Sequence, residues 1–276
     1  MKKNYPRKMK KSIISLLLLF TVTSLLAQQK DEVLIRAYYM GTYKSVVEQK
    51  QTSKEEFVLD VTAGQSAFYS RWDAEYSRIT DSVSAKGGTV AEVLNATSKI
   101  PMAKLHYWVL KNHPEKGSLT YHDQIVKSFY YQEKMETPQW NILPQDSLVL
   151  GYSCQAAQCE YRGRTWKVWF TGEIPSSEGP WKLHGLPGLI LLAEDSTGDF
   201  GFECIELKNG NGMELQLPST KESIKCSRTE LMNLRREACE DPSRFAVKMG
   251  GMGGGTDAMG RPIKYPKRTA VFLDNE

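Results

Sequence analysis

Two cysteines and one histidine are the residues of this chain whose types could together support nucleophilic catalysis. Cys154 and Cys159 could supply a thiolate and His184 a base, provided that the side chains come within hydrogen-bond distance. Neither cysteine lies in a protease-type signature, and the chain contains no Gly-x-Ser-x-Gly elbow. The sequence therefore assigns no catalytic residue, and a hydrolase with a Cys/His site ranks third among the functions considered.

The five cysteines leave the disulfide pairing open. Cys154 and Cys159, separated by Gln-Ala-Ala-Gln, could close a small disulfide loop, flank a bend in a strand, or remain reduced. A bridge between Cys226 and Cys239 is disfavoured, because the helix predicted between them would hold the two residues about 20 Å apart.

Two arginines are the best polar candidates for a binding site. Arg162 and Arg164 are spaced at period two, so on a strand both would point to the same face. Two guanidinium groups there could clamp a carboxylate or a phosphate. They could equally pair with Glu160, Glu173 or Glu203 on adjoining strands, and cross-strand ion pairs are the commoner arrangement.

Three methionines, Met249, Met252 and Met259, lie in a glycine-rich stretch near the end of the chain. Thioether sulfurs favour Cu(I), so this stretch could bind copper in an exported protein. Methionine-glycine tracts also occur as plain linkers, and three ligands are few. Three histidines lack the spacing of a zinc motif: His106, His113 and His122. No cofactor is predicted, and copper binding stays an alternative.

The elements that must position these residues have the pattern of short strands. Period-two alternation or short apolar runs predict strands near residues 33–39, 57–61, 66–72, 126–135, 164–170, 189–193, 200–207 and 213–217. Capping boxes predict helices after Thr89 and after Ser227, with a further helical turn beginning at Asp241-Pro242. The expected fold is mainly β, a β-rich α+β domain with a curved antiparallel sheet or half-open barrel and one or two packed helices.

Two turn dipeptides, Gly179-Pro180 and Pro187-Gly188, surround the stretch that contains His184. Proline followed by glycine fits a type II turn, which requires a positive φ at Gly188. Gly185 would allow the backbone to approach a neighbour closely. Residues 189–192 then read as a strand buried on both faces, so the stretch is interpreted as a tight turn that leads into the core.

An alternative interpretation of the same stretch is a binding surface. Trp169, Trp181 and His184 could form a rigid aromatic edge around a cleft, because tight turns hold such side chains in place.

The first 27 residues have the pattern of a secretory signal peptide. Six Lys and Arg residues precede an apolar run over residues 13–26, and cleavage is predicted after Ala27. This run is too short for a permanent membrane anchor, so no membrane span is expected after its removal. The protein should therefore be exported, to the periplasm or to the outer membrane. We expect one β-rich domain over residues 28–247, followed by a Gly/Met-rich flexible linker and tail over residues 248–276.

The charge of the chain changes once this leader is removed. The leader holds six of the 36 basic residues and none of the 32 acidic ones, so 30 basic residues remain against 32 acidic ones. A net charge of about −2 gives no reason to expect nucleic-acid binding.

The stretch Gly185-Leu186-Pro187-Gly188-Leu189-Ile190 resembles the motif of the GLPGLI family of exported Bacteroidetes proteins. Further matching segments precede it in order and spacing: Arg162-Gly163-Arg164, Trp169-Phe170-Thr171, Ile174-Pro175 and Gly179-Pro180-Trp181-Lys182-Leu183. The resemblance is strong over residues 152–207. It departs at the C-terminus, where many members carry an Asn-Pro-Ile-Glu-type tail. The resemblance implies an envelope location, often beside TonB-dependent receptors of the outer membrane, and implies no particular reaction.

The leading functional hypothesis is therefore a non-enzymatic envelope protein that works with a TonB-dependent uptake or assembly system. The alternative is a carrier of a small apolar ligand, held on the concave face of the sheet, or of a metal such as copper. The aromatic content of six Trp, 13 Tyr and nine Phe is compatible with a carrier, although an ordinary core uses the same residues.

Overall fold

The structure is a computed structural model that describes residues 32–219, 222–250, 259, 261 and 268–274. The predicted leader over residues 1–27, with its cleavage point after Ala27, lies outside the described residues, as does most of the glycine-rich stretch. No helix in the described ranges is long and apolar enough to cross a membrane.

Twelve strands in the described residues form one sheet. Their bounds are β1 Ile35–Tyr43, β2 Ser53–Val61, β3 Ser66–Ser70, β4 Tyr107–Lys111, β5 Ser118–Gln124, β6 Ser128–Lys134, β7 Asn141–Val149, β8 Tyr152–Tyr161, β9 Arg164–Thr171, β10 Leu189–Asp195, β11 Phe200–Asn209 and β12 Ile224–Lys225. The order across the sheet is β12-β6-β5-β4-β3-β2-β1-β11-β10-β9-β8-β7. All neighbours pair antiparallel except β12, which runs parallel to β6.

The sheet is strongly curved, as its edge-to-edge contacts show. Nine strand spacings separate β6 from β8 in the sheet order, which would place them about 43 Å apart in a flat sheet. Nevertheless, the guanidinium of Arg162, which directly follows β8, contacts the carboxylate of Glu133 on β6 at 3.2 Å. The sheet therefore curls towards closure. Because its two edge strands β12 and β7 are not paired in the described structure, it remains open, and the predicted fold class is confirmed.

Four helices are described, two more than the upper limit predicted. They are α1 Arg71–Ala85, α2 Val90–Thr97, α3 Arg228–Glu240 and α4 Pro242–Lys248. The capping boxes of α2 and α3 confirm the signals read at Thr89 and Ser227. Helix α1 was missed, because the strand predicted over residues 66–72 ends at Ser70, whose side chain caps the helix instead.

The two faces of the sheet carry different cores. The inner face holds the large aromatic core, which includes Phe57, Phe68, Trp166 and Phe202. The outer face holds a smaller cluster beneath α1, built around Tyr69 and Trp108, whose rings stack at 4.0 Å. Alternate residues of one strand thus serve two cores, which explains why both faces of β3 and β4 are buried.

Two sequence-based expectations near the C-terminus differ from the structure. The strand predicted over residues 213–217 is an irregular segment with a single bridge, between Glu32 and Glu214. Residues 268–274, assigned to the C-terminal tail, pack against the domain, where Ala270 forms an isolated bridge with Val46 in the connection between β1 and β2. These tail residues are therefore part of the folded domain.

Candidate functional site

Residues 178–188, here called the core segment, fill one part of the space enclosed by the inner face. Trp181, Leu183 and Leu186 of this segment are almost completely buried. The segment leads into β10, where the Tyr39 hydroxyl donates to the Ile190 carbonyl at 2.6 Å. Leu189, Ile190 and Leu191 are inaccessible to solvent, as the sequence predicts for a strand buried on both faces.

The glycines of the core segment have roles different from those predicted. Gly188 does not adopt the positive φ of a type II turn, whereas Gly185 has a φ of 94°. A Cβ on Gly188 would lie 2.1 Å from the Thr171 carbonyl oxygen, and one on Gly179 would lie 2.8 Å from Ile190 Cδ1. Gly188 is thus required for close packing and Gly185 for backbone conformation, the reverse of the prediction.

A fully buried lysine anchors the start of the core segment. Lys111 Nζ on β4 lies 2.8 Å from the Glu178 carboxylate and donates to the Gly179 and Leu183 carbonyls at 2.9 Å. Ser66 on β3 donates to the same carboxylate. Burial lowers the pKa of Lys111, while the facing lysine lowers the pKa of Glu178. This network ties the segment to the middle of the sheet.

A second buried lysine, Lys182, links the core segment to a distant strand and to the tail. Its ammonium donates to the Tyr131 hydroxyl at 2.9 Å and to the Glu133 carboxylate at 2.8 Å, both on β6. It also donates to Asp274 at 2.7 Å. One side chain therefore joins the core segment, β6 and the docked tail.

His184, a predicted binding residue, lies in the interior rather than at a surface. Its Nδ1 lies 2.9 Å from the Lys182 carbonyl, to which it donates, and its own carbonyl accepts from the Trp140 indole. Burial is the largest cause of its lowered pKa. Its Nε2 has no hydrogen-bond partner among the described residues, so neither predicted cysteine acts as its nucleophile partner here.

The predicted aromatic edge does not form. Trp181 is fully buried and packs against Trp166 at 5.8 Å between ring centroids. Trp169 is three residues from Trp166 on β9 and so points to the opposite face, where the Lys167 ammonium lies 4.9 Å from its ring. Trp169, Trp181 and His184 are therefore not brought together as an exposed surface.

Arg162 and Arg164 do not share a strand face, and each has internal partners. Arg162 occupies the turn between β8 and β9 with a φ of 54°, and its guanidinium contacts Glu133 and Glu136. Arg164 begins β9, where it pairs with Asp195 and donates to the Phe272 carbonyl of the tail. The expected pairing with carboxylates is therefore present, but with different acids from those predicted.

Cys154 and Cys159 are both free and lie on the same strand, β8. Five residues of extended chain separate them by about 16 Å, too far for a disulfide. Burial raises the pKa of both thiols, that of Cys159 to about 12, which disfavours a nucleophilic thiolate. Of the three alternatives left open by the sequence, the structure has the reduced cysteines, because the intervening residues continue the strand instead of forming a loop.

The methionines near the C-terminus are divided between two environments. Met249 is half-buried against the core and Met259 is exposed, while Met252 lies outside the described residues. Within the described ranges, no group of three or more His, Cys, Asp or Glu side chains could hold a metal ion.

The inner face also borders a partly open cavity of about 400 Å³, here called the inner cavity. Its walls are the sheet on one side and helix α3 with tail residues 270–274 on the other. The aromatic side chains that line it are Tyr43, Phe57, Tyr107, Tyr121, Trp181, Phe200 and Phe202. The volume falls within the range of small-molecule sites, which are mostly apolar with a few polar groups.

Stacked rings form one wall of the inner cavity. Phe57 on β2, Tyr107 on β4 and Tyr121 on β5 line it and stack in sequence, with centroid distances of 5.7 and 5.7 Å. The stack continues outside the lining to Tyr131 on β6, at 5.2 Å from Tyr121. Both Tyr107 and Tyr121 carry a hydroxyl. A planar or elongated apolar molecule could pack against such a surface.

Helix α3 contributes a guanidinium group to the cavity. Arg235 lines it and pairs through Nε with Asp123 of β5, whose side chain is fully buried. Sequence analysis did not identify Arg235 as a site residue. The sequence does contain an indication of this residue. Arg235 lies four residues after the buried Leu231, so it places a charge on the buried side of an amphipathic helix.

A larger cavity, of about 850 Å³, lies at α1. Its two imidazoles have protein partners: His106 contacts Asp73 at 2.7 Å, and His122 contacts Ser223 at 2.8 Å. Much of its wall is the polar surface of α1 and exposed loop residues such as Met102. The inner cavity, lined by buried aromatic rings, is therefore the better candidate for a site.

Residues 132–192 match a family described as a protein of unknown function (Porph_ging). The matched stretch runs from β6 into β10 and includes the whole core segment. Over this part of the chain the protein resembles an uncharacterised family, and the GLPGLI name itself stays a prediction. No curated protein matches the chain.

Two solved structures of PNGF-II resemble part of the fold. The structure in space group P21 has a TM-score of 0.48 at 9% identity, covering 73% of this chain and 32% of that one. The structure in space group C2 has a TM-score of 0.49 at 10% identity, covering 75% and 33%. The chain thus spans about a third of the length of these proteins.

Proposed function

We propose that this chain is an exported, non-enzymatic binding protein that holds a small, largely apolar molecule in the inner cavity. The observation that carries the proposal is the cavity of about 400 Å³ between the aromatic inner face, α3 and the tail. Its volume and its largely aromatic lining match those of small-molecule sites, which are mostly apolar with a few polar groups. The proposal corresponds to the carrier alternative from the sequence.

The other candidate residues do not form a Cys/His site in the described part of the chain. The buried thiols of Cys154 and Cys159 have raised pKa values, and the described part of the chain shows no hydrogen bond from either to His184. Arg162 and Arg164 are engaged by carboxylates of the fold. The export signal predicted over residues 1–27 supports an envelope location for this proposal, and work with a TonB-dependent receptor stays a prediction.

Filling the cavity from α3 tests the proposed function. Ala238 lines the cavity, so Ala238→Phe would place a ring inside it. The probe is naphthylmethanol, a neutral aromatic molecule, and its affinity is measured by isothermal titration calorimetry. We expect the wild-type protein to bind it and the variant to bind at least about tenfold more weakly, a loss of roughly 1.4 kcal/mol.

The control is Asn233→Phe, which adds the same ring on the exposed side of α3. It should leave the affinity for naphthylmethanol unchanged. Equal affinity of the Ala238→Phe and wild-type proteins for this probe would overturn the proposed function, as would a wild-type protein that binds neither naphthylmethanol nor its charged analogue naphthoate.

A further inference from the structure

Three polar side chains that line the inner cavity lie close together: those of Tyr107, Tyr121 and Arg235. Tyr107 and Asp123 are directly opposed across β4 and β5, so their side chains share a face. Tyr121, two residues before Asp123 on β5, lies on that same face and stacks on Tyr107 at 5.7 Å. Arg235, which pairs with Asp123, is thereby placed beside both tyrosines.

The Arg235 guanidinium keeps donors available at this position. Its Nε donates to Asp123, and no further hydrogen bond of its terminal nitrogens is present in the described part of the chain. A quarter of its side-chain surface is accessible, although it is held in place by the ion pair. An arginine has five N–H donors, so four remain for a ligand.

The tyrosine hydroxyls add two further potential donors. Neither Tyr107 nor Tyr121 forms a side-chain hydrogen bond with another described residue, and neither oxygen is sealed away from the cavity. Burial is the largest cause of the raised pKa of each phenol, so both remain protonated at neutral pH. Protonated phenols and a guanidinium are the groups that bind carboxylates and phosphates.

The charges around the cavity have the same preference. Three of the lining residues of fixed charge have partners of opposite charge: Arg235 pairs with the fully buried Asp123, Lys44 lies 3.7 Å from Asp199, and Asp274 pairs with Lys182. The fourth, Lys104, forms no ion pair with another described residue. Its ammonium would attract an anion and disfavour a cation.

We propose that the ligand of the inner cavity carries an anionic head, a carboxylate or a phosphate, bound by Arg235 and the hydroxyls of Tyr107 and Tyr121. This inference rests on the proposed function and specifies its ligand class. The apolar body of the ligand lies against the stacked rings that continue from these tyrosines towards Phe57.

Calorimetric titration with two matched probes tests the inference. Naphthoate and naphthylmethanol share the same ring system and differ in whether the head is charged. The purified wild-type protein should bind naphthoate about tenfold or more tightly, since hydrogen bonds to a charged group are stronger than those to a neutral one. Naphthyl phosphate, tested alongside, shows which of the two anions is preferred.

Three variants identify the groups that bind the head. Tyr107→Phe and Tyr121→Phe each remove one hydroxyl and keep the ring stack, so each should weaken naphthoate binding about tenfold. Arg235→Lys keeps the charge opposite Asp123 but loses the fork of donors, and we expect a similar loss. Binding of naphthylmethanol should change by less than about twofold in all three proteins, which also shows that they are folded.

The outcomes separate this inference from the proposed function. Equal affinity for the charged and neutral probes, or undiminished naphthoate binding in all three variants, would overturn the anionic head while the cavity remained a binding site. If neither probe bound, or if Ala238→Phe did not affect binding, both proposals would be wrong.

Discussion

The inner face of the sheet is filled by the chain itself in one region and left open in another. The core segment occupies the first region with Trp181 and Leu183, and two lysines without solvent exposure tie it to the sheet. In the second region α3 and residues 270–274 cover the sheet without filling the space, which leaves the inner cavity. The same curved sheet thus provides a packed core and a candidate binding site.

This difference separates the residues that hold the fold from those that could hold a ligand. In the filled region, every charged group faces another group of the protein, as Lys111 faces Glu178 and Lys182 faces Asp274. In the open region, Arg235 keeps donors that no described residue accepts from. The distinctive sequence motif therefore belongs to the framework, and the polar groups best placed for binding lie outside it.

The largest effect on the free energy of unfolding is expected for removal of Lys111, one of the two buried lysines of the filled region. Lys111→Met removes the ion-pair partner of the Glu178 carboxylate, which keeps the Ser66 hydroxyl as a donor, and leaves two backbone carbonyls without the lysine donor. Loss of one partner of a buried pair costs about 3–5 kcal/mol in the free energy of unfolding. Urea unfolding followed by tryptophan fluorescence measures this loss.

A lysine at the cavity provides the control for Lys111→Met. Lys44 lines the open region, is 27% exposed, and lies 3.7 Å from Asp199. Lys44→Met should cost less than about 1 kcal/mol, as is usual for an exposed pair. Equal losses in the two variants would contradict the distinction between a filled and an open region.

Two glycines that face each other give the second test. Gly188→Ala would place a Cβ 2.1 Å from the Thr171 carbonyl oxygen, whereas a Cβ on Gly172 has its nearest neighbour at 3.8 Å. We expect Gly188→Ala to lower the free energy of unfolding by about 1–3 kcal/mol. Gly172→Ala should change it by less than about 0.5 kcal/mol. Thermal unfolding of both variants measures the difference, and similar midpoints would show that the region around Gly188 is not tightly packed.

Local patterns in the sequence predicted much of the fold. Period-two alternation located most strands, and the capping boxes at Thr89 and Ser227 located two helices. The hairpin of β10 and β11 followed from two apolar runs joined by a polar turn. Helix α1 was missed, because the residues that begin it continue the alternation of β3. These successes and this failure depend on residues near one another in the chain.

The candidate site could not be predicted in the same way, because it depends on contacts between distant residues. The register that opposes Tyr107 and Asp123 and the packing of α3 bring Arg235 to two tyrosines more than 100 positions earlier in the sequence. Conversely, the motif that contains His184 was prominent in the sequence because close packing restricts its residue types. A distinctive pattern can therefore mark a packing constraint instead of a binding site.

The smallest expected effect is a difference in how two histidines respond to pH. Burial holds the pKa of His184, in the filled region, below its ordinary value. The unfolded chain therefore binds a proton first, so this residue reduces stability as the pH falls below about 6.5. His184→Gln should make the loss of stability between about pH 7.5 and 5.5 shallower than in the wild-type protein, as measured by urea unfolding at several pH values.

His106, which lines the open region, should behave in the opposite way. The Asp73 carboxylate, 2.7 Å from its Nδ1, raises the pKa of His106. Its contribution to stability is complete below the unfolded pKa of about 6.5 and is lost as the pH rises through the folded pKa. His106→Gln should therefore make the loss on acidification steeper than in the wild-type protein. Titratable groups that contact neither histidine contribute equally to all three proteins. Slopes that shift in the same direction in both variants would therefore contradict the contrast between a buried neutral imidazole and a carboxylate-paired one.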